Sequence, residues 1–181
     1  KSNPIHVASQ LLSTSVFRHQ VNLTGHMHSI TSASFSPDGR YFVTGCSYDM
    51  TCREWSQDDS DNGMWRSVVL QGHTRPVYAS GFSPDGHYFV TGSGDTTCRV
   101  WNQDVNGMWQ SVVLRGHTLA VLTVNFSPDG SFFVSGSCDE TCRVWSQNDD
   151  GHWQSVVLRG HAGGVTAIRF SPDGDYFISA S

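Results

Sequence analysis

The chain has 181 residues, enough for one large domain or a short array of repeats. Charged residues make up 15% and aromatic residues 12%, which excludes a disordered acidic tail and a flexible linker. The formal net charge is -5 with no basic cluster, which argues against nucleic-acid binding, and no run of about 18 apolar residues is present to span a membrane. Five cysteines, an odd number without the spacing of metal ligands, indicate reduced thiols and a cytoplasmic location.

Residues 1–22 form an N-terminal segment ahead of the repeated part of the chain. It contains two stretches of strand character, Leu11–Ser15 and Val16–Leu23. We expect this segment to supply one or two outer strands to the sheet that closes the array, with the other strands coming from elsewhere in the chain.

The rest of the chain, residues 23–181, is a repeat. The sequence Phe-Ser-Pro-Asp-Gly occurs four times, at intervals of 47, 44 and 44 residues, and a Gly-His pair places its histidine ten residues before each serine. Periods of this length are typical of solenoids and propellers. The repeats start near residues 23, 70, 114 and 158.

Each repeat contains four short segments rich in β-branched and aromatic residues and bounded by turn residues. In the second repeat they are Val77–Phe82, Tyr88–Ser93, Thr97–Trp101 and Met108–Leu114. No window has the periodicity of an amphipathic helix. In Ser-Pro-Asp-Gly, proline presets the turn backbone and glycine takes the left-handed conformation, so each copy predicts a hairpin. The fold class is therefore all-β.

The first repeat is three residues longer than the others. One extra residue precedes Asp49, and two more lie between Trp55 and Trp65. Both places are polar and turn-like, where added length costs little.

These features resemble the WD-repeat family. The resemblance rests on the Gly-His pairs, the Ser-Pro-Asp-Gly turns, an aspartate six residues before a tryptophan, and the period near 44. It implies a β-propeller of four-stranded antiparallel blades, with three complete repeats and a partial fourth. One departure is that the aspartate following the tryptophan in the family is Ser56, Asn102 or Ser146 here.

The resemblance also implies a buried polar network in each repeat, made of histidine, a strand hydroxyl, the turn aspartate and tryptophan. The sets are His26/Thr44/Asp49/Trp55, His73/Thr91/Asp95/Trp101 and His117/Ser135/Asp139/Trp145, with only His161 and Ser179 in the fourth repeat. The extra residue before Asp49 is expected to affect the part played by Thr44.

A set of serine, histidine and aspartate also invites a hydrolase interpretation. No nucleophile elbow is present, and near-copies of a catalytic triad in three blades would serve no purpose. We therefore expect no catalytic residue, no metal site and no cofactor. Cys52, Cys98 and Cys142, each three residues before a tryptophan, are expected to pack as small core residues.

Positions that differ between repeats are the better candidates for binding. His28, Arg75 and Leu119 lie two residues after the Gly-His histidines, and Tyr48 precedes the turn aspartate. In this family such positions face the top surface around the channel, so we expect these four to contact a partner. Glu54 stands out, because its counterparts are Val100 and Val144, and it suggests a different neighbour or a looser edge for the first repeat.

The resemblance implies a non-enzymatic scaffold that binds a protein or peptide through the propeller top. An alternative is the substrate-recognition part of a larger assembly such as a ubiquitin-ligase receptor, which family analogy alone supports. The number of repeats leaves ring closure open. Either two copies of the chain form one eight-bladed ring as a homodimer, or the chain is a fragment of a longer propeller.

Overall fold

The computed structural model describes residues 5–9, 19–57 and 64–181, and in residues 5–9 and 19–22 it describes the backbone only. These residues form sixteen β-strands and no helix. Within the described ranges there is accordingly no helix long and apolar enough to cross a membrane.

Three consecutive four-stranded antiparallel sheets, here called blades, form the centre of the array. The first blade contains β3 (Ile30–Phe35), β4 (Tyr41–Cys46), β5 (Cys52–Gln57) and β6 (Trp65–Leu70). The second contains β7 (Val77–Phe82), β8 (Phe89–Ser93), β9 (Cys98–Gln103) and β10 (Trp109–Leu114). The third contains β11 (Val121–Phe126), β12 (Phe132–Ser137), β13 (Thr141–Gln147) and β14 (Trp153–Arg159). The predicted all-β propeller blades, three complete and a fourth partial, are confirmed.

A two-stranded sheet lies at each end of the array. The C-terminal half-blade contains β15 (Ala167–Phe170) and β16 (Phe177–Ala180), the equivalents of the first two strands of a blade. The N-terminal half-blade contains β1 (Ile5–Ser9) and β2 (His19–Leu23). Pairing of Ile5 with Leu23 in the N-terminal half-blade matches pairing of Cys98 with Leu114 in the second blade, so β1 and β2 correspond to the last two strands.

The N-terminal segment differs in detail from the prediction. Strand β2 lies within the expected stretch before Gly25, and β1 lies earlier than either expected strand, at Ile5–Ser9. The strand expected at residues 11–15 falls outside the described residues. The two half-blades form separate sheets, so the described strands do not close into a ring.

Each Ser-Pro-Asp-Gly sequence forms the predicted hairpin turn. In the first, the amide of Gly39 donates to the carbonyl of Ser36 at 2.9 Å, and Gly39 has a φ of 70°, a left-handed conformation that favours glycine. The hydroxyl of Ser36 donates to Asp38 at 2.6 Å and accepts the amide of Tyr41 at 3.0 Å. One side chain therefore ties the turn to the start of the next strand.

Blades pack face to face through aromatic and aliphatic side chains. Between the first and second blades, Val43 and Leu70 form one cluster with Phe89 and Trp101. The rings of Phe89 and Trp101 are stacked with centroids 5.8 Å apart, and Trp109 meets Phe89 edge-on at 5.0 Å. Strand β7 contacts both β3 and β11, so the first strands of neighbouring blades lie side by side.

Candidate functional site

The predicted four-residue set of the second blade forms one chain of hydrogen bonds. The indole N–H of Trp101 donates to Thr91 Oγ1 at 2.9 Å, and that hydroxyl lies 2.8 Å from His73 Nε2. His73 Nδ1 lies 2.8 Å from Asp95 Oδ2. Because a carboxylate only accepts, Nδ1 carries the proton, and Nε2 is free to accept the threonine hydroxyl.

The third blade repeats this chain with serine in place of threonine. Ser135 Oγ accepts the Trp145 indole N–H at 2.8 Å and lies 2.7 Å from His117 Nε2. His117 Nδ1 lies 2.9 Å from Asp139. The network therefore needs a hydroxyl at this strand position and does not need the threonine methyl.

The first blade keeps the same network despite its extra residue. Thr44 Oγ1 accepts the Trp55 indole N–H at 2.9 Å and lies 2.8 Å from His26 Nε2, and His26 Nδ1 lies 2.7 Å from Asp49. Thr44 therefore plays the same part as Thr91, contrary to the effect expected from the insertion.

The C-terminal half-blade holds only the beginning of a network. His161 Nε2 lies 2.7 Å from the Ser179 hydroxyl, and His161 Nδ1 lies 3.0 Å from the hydroxyl of Ser181. His161 is half-buried, whereas His26, His73 and His117 are buried.

Hydrogen bonding fixes the charge state of the network aspartates. Burial alone would raise the pKa of Asp139, but hydrogen bonds from the Thr141 side chain, the Thr118 amide and His117 outweigh it and lower the pKa to about 2. Equivalent bonds outweigh burial at Asp49 and Asp95 and hold the pKa of each well below its usual range. Burial lowers the pKa of His117, so a neutral imidazole faces an ionised carboxylate.

The network hydroxyls are closed to substrates. Thr44, Thr91 and Ser135 are each 0% exposed, and each already accepts a tryptophan N–H. A nucleophile must reach the atom that it attacks. The arrangement therefore holds the blade together and offers no site for hydrolysis.

One group of side chains has the composition of a metal site. Ligand atoms of His26, Cys46 and Asp49 lie within 4.8 Å of one another. The same histidine–aspartate contact recurs in the second and third blades, where Ser93 and Ser137 occupy the cysteine position. Hydrogen bonding accounts for the contact in all three blades, so the group carries no argument for a metal.

The predicted contact residues of the first blade lie at the same end of the strands as the hydrogen-bond networks. This end of the blades is here called the top surface. The amide of Ser47 donates to the carbonyl of Ser29 at 3.0 Å, as Gly94 does to Pro76 in the second blade. This equivalence makes Tyr48 the inserted residue. Its side chain is 73% exposed, and its ring centroid lies 5.2 Å from that of His28.

Arg75 and Leu119 project from loops whose backbone is fixed. The Ser93 hydroxyl donates to the Arg75 carbonyl at 3.0 Å, and the Ser137 hydroxyl donates to the Leu119 carbonyl at 3.1 Å. Both side chains are exposed. The structure thus places His28 beside Tyr48, and holds Arg75 and Leu119 on the loops of the next two blades.

Sequence reasoning missed two further exposed residues of the top surface. Met27 is 69% exposed, and Met50 is 41% exposed with a φ of 60°. An apolar residue where the other repeats carry threonine or alanine was the available signal for Met27. The same signal was available for Met50, whose counterparts in the next two repeats are Thr96 and Glu140.

The arginines two residues before the core tryptophans, Arg53, Arg99 and Arg143, lie half-buried inside the blades. Arg99 donates to the Ser111 hydroxyl at 2.9 Å and to the Gly72 carbonyl at 2.7 Å, and its guanidinium lies over the Trp101 ring at 6.0 Å. Stacking on the aromatic ring is therefore observed. Arg99 therefore ties its strand to the Gly-His loop and is not displayed to a partner.

Fold and site together define the class of protein: an all-β array of propeller blades with polar networks inside and variable side chains on its top surface. A family model described as "WD domain, G-beta repeat" matches residues 17–56, 65–102, 109–146 and 152–181. The chain therefore belongs to the WD-repeat family, whose members generally serve as protein-interaction scaffolds. A search of curated proteins found no match.

Proposed function

We propose that this chain is a non-enzymatic scaffold that binds a protein or peptide through its top surface. The observation that carries the proposal is the exposed Tyr48–His28 pair, which stands on loops held by hydrogen bonds within the first blade. A rigid framework that presents variable side chains is the usual design of a binding surface.

The chemistry of the surface favours one kind of partner. Met27, Tyr48 and Leu119 expose apolar area, and Arg75 adds a positive charge. Tyrosine and arginine, together with tryptophan, are the residues enriched among energetically dominant contacts. The surface fits a peptide that carries apolar side chains and at least one carboxylate.

A peptide selection tests the proposal. Peptides are selected from a displayed library on the full chain, and their affinities are measured by calorimetry for the wild type, Tyr48→Ala and Arg75→Ala. Each substitution is expected to weaken binding about tenfold or more. Tyr176→Ala is the matched control, because Tyr176 is 74% exposed but lies beside a Ser-Pro-Asp-Gly turn. These turns lie at the end of the strands opposite the top surface.

Two results would count against the top surface. One is equal loss of affinity in Tyr176→Ala, and the other is a fall in melting temperature that accounts for the loss in Tyr48→Ala and Arg75→Ala. The ubiquitin-ligase alternative, the cytoplasmic location and the two-copy ring stay predictions from the sequence.

A further inference from the structure

A groove lies between the first and second blades, along β6 and the turn that joins β9 to β10. It has a volume of about 510 Å³ and is lined by Tyr41, Glu54, Val68, Gln103, Met108 and Trp109 among others. The second and third blades form the corresponding groove, of about 280 Å³. Its equivalent lining residues are Tyr88, Val100, Val112, Gln147, His152 and Trp153. The second groove therefore shows which residues stand at most of the same positions in a neighbouring pair of blades.

Glu54 is the main chemical difference between the two grooves. It is 3% exposed and occupies the position that Val100 occupies in the second blade, as pairing with Val43 and Val68 shows. Its Oε1 has no hydrogen-bond partner in the described part of the chain. The side chains of Ser56 and Trp109 lie close enough to the carboxylate to act on its pKa, which they lower.

A buried carboxylate oxygen without a partner weakens the fold. The blade architecture does not need it, since the second and third blades carry Val100 and Val144 at this position. The first blade therefore keeps a destabilising group in the wall of an open groove. This is the pattern expected where a ligand supplies the missing partner.

We propose that this groove binds an alkylammonium ion, the lysine side chain of a peptide or protein, with its charged head at the Glu54 carboxylate in the groove wall. The compact ammonium suits a carboxylate that is only 3% exposed, whereas the broad guanidinium fork of arginine binds best to two accessible oxygens. Val68 and Met108 offer apolar walls for the four-carbon stem, and the rings of Tyr41 and Trp109 are suited to a cation. The net charge of -5 adds a favourable long-range field.

The indole N–H signals of Trp109 and Trp153 report the two grooves separately in nuclear magnetic resonance spectra of the full chain. The probe is the capped tripeptide acetyl-Gly-Lys-Gly-amide, and its control replaces lysine with norleucine, which keeps the stem and removes the charge. We expect a saturable shift of the Trp109 signal with the lysine probe only. The Trp153 signal is expected to stay unchanged, because Val100 lines that groove.

Glu54→Gln keeps the shape of the side chain and removes its charge, and is expected to weaken binding about tenfold or more. Glu54→Val restores the residue of the other blades and is expected to abolish binding while it stabilises the fold. Glu140→Gln is the matched control, because Glu140 is the only other glutamate of the chain and is exposed away from the groove.

Three results would overturn the proposal: equal shifts with the norleucine probe, equal shifts at Trp153, or unchanged affinity in Glu54→Gln. Absence of any saturable shift in the wild type would also overturn it. The inference is independent of the top surface, so Tyr48→Ala should leave the Trp109 response unchanged even if the proposed peptide binding there fails.

Discussion

Thr91 shows how a single hydroxyl organises a blade. It accepts the Trp101 indole N–H and donates to His73, whose other nitrogen donates to Asp95. The Thr91 hydroxyl and both ring nitrogens of His73 are occupied by these hydrogen bonds, so residue types that suggest catalysis serve structure here. Glu54 is the opposite case, a buried polar group with one oxygen unpartnered in the described residues.

The pH dependence of stability should reveal Glu54. Burial outweighs the hydrogen bonds from Ser56 and Trp109 and raises the pKa of Glu54 from 4.5 to about 7. The folded state therefore holds this proton more tightly than the unfolded state, and the wild type loses stability as pH rises from 4.5 to about 7. Valine does not titrate, so the stability gain of Glu54→Val should grow across this interval and stay constant above it.

Urea denaturation at a series of pH values measures that gain, which should reach about 1–3 kcal/mol once the carboxylate is ionised. Glu54→Gln should give the same pH dependence with a smaller gain, because it keeps a buried polar group. A difference that is flat, or that shrinks as pH rises, would show that the carboxylate is not buried as described.

At the scale of strands and turns, the repeat made much of the fold predictable. The Ser-Pro-Asp-Gly turns fixed where each hairpin lies, since proline, aspartate and glycine each have a defined place in such a turn. Strand β1 escaped prediction, because Ile5–Ser9 contains none of the motifs that recur in the repeats. The sequence also left open whether Ser47 or Tyr48 is the inserted residue, because a backbone hydrogen bond decides it.

The same turn should contribute differently in complete and incomplete blades. Ser83 is 2% exposed, donates to Asp85 at 2.5 Å and accepts the Tyr88 amide at 3.0 Å. Ser83→Ala leaves that amide unpaired and should cost about 1–3 kcal/mol of unfolding free energy. Ser171 makes equivalent bonds in the C-terminal half-blade but is more exposed, so Ser171→Ala should cost less.

Chemical denaturation of the two variants beside the wild type checks this difference. Equal losses would mean that local turn bonds, rather than burial in a complete blade, set the contribution of this serine.

The molecule as a whole separates two sets of side chains. The histidines, aspartates and tryptophans of the networks are held inside the blades, while Met27, Tyr48, Arg75 and Leu119 project from the top surface. The network residues were predictable because they recur in register with each turn. The groove at Glu54 was not predictable. The sequence shows that Glu54 departs from its counterparts, but it does not show that Glu54 lines a groove.

This separation also explains why a resemblance to one family leaves the partner open. The framework is set by residues that repeat, and binding is proposed for residues that do not. A scaffold of this kind can change its partner through its exposed positions without loss of the fold.

The most direct test of this separation is the unfolding free energy of Trp101→Ala and Arg75→Ala, measured side by side by urea denaturation of the full chain. Trp101 is 3% exposed and belongs both to a network and to the core between blades, so its loss should cost about 3–5 kcal/mol. Arg75→Ala should leave stability unchanged. A large loss in Arg75→Ala, or a fully stable Trp101→Ala, would contradict the account.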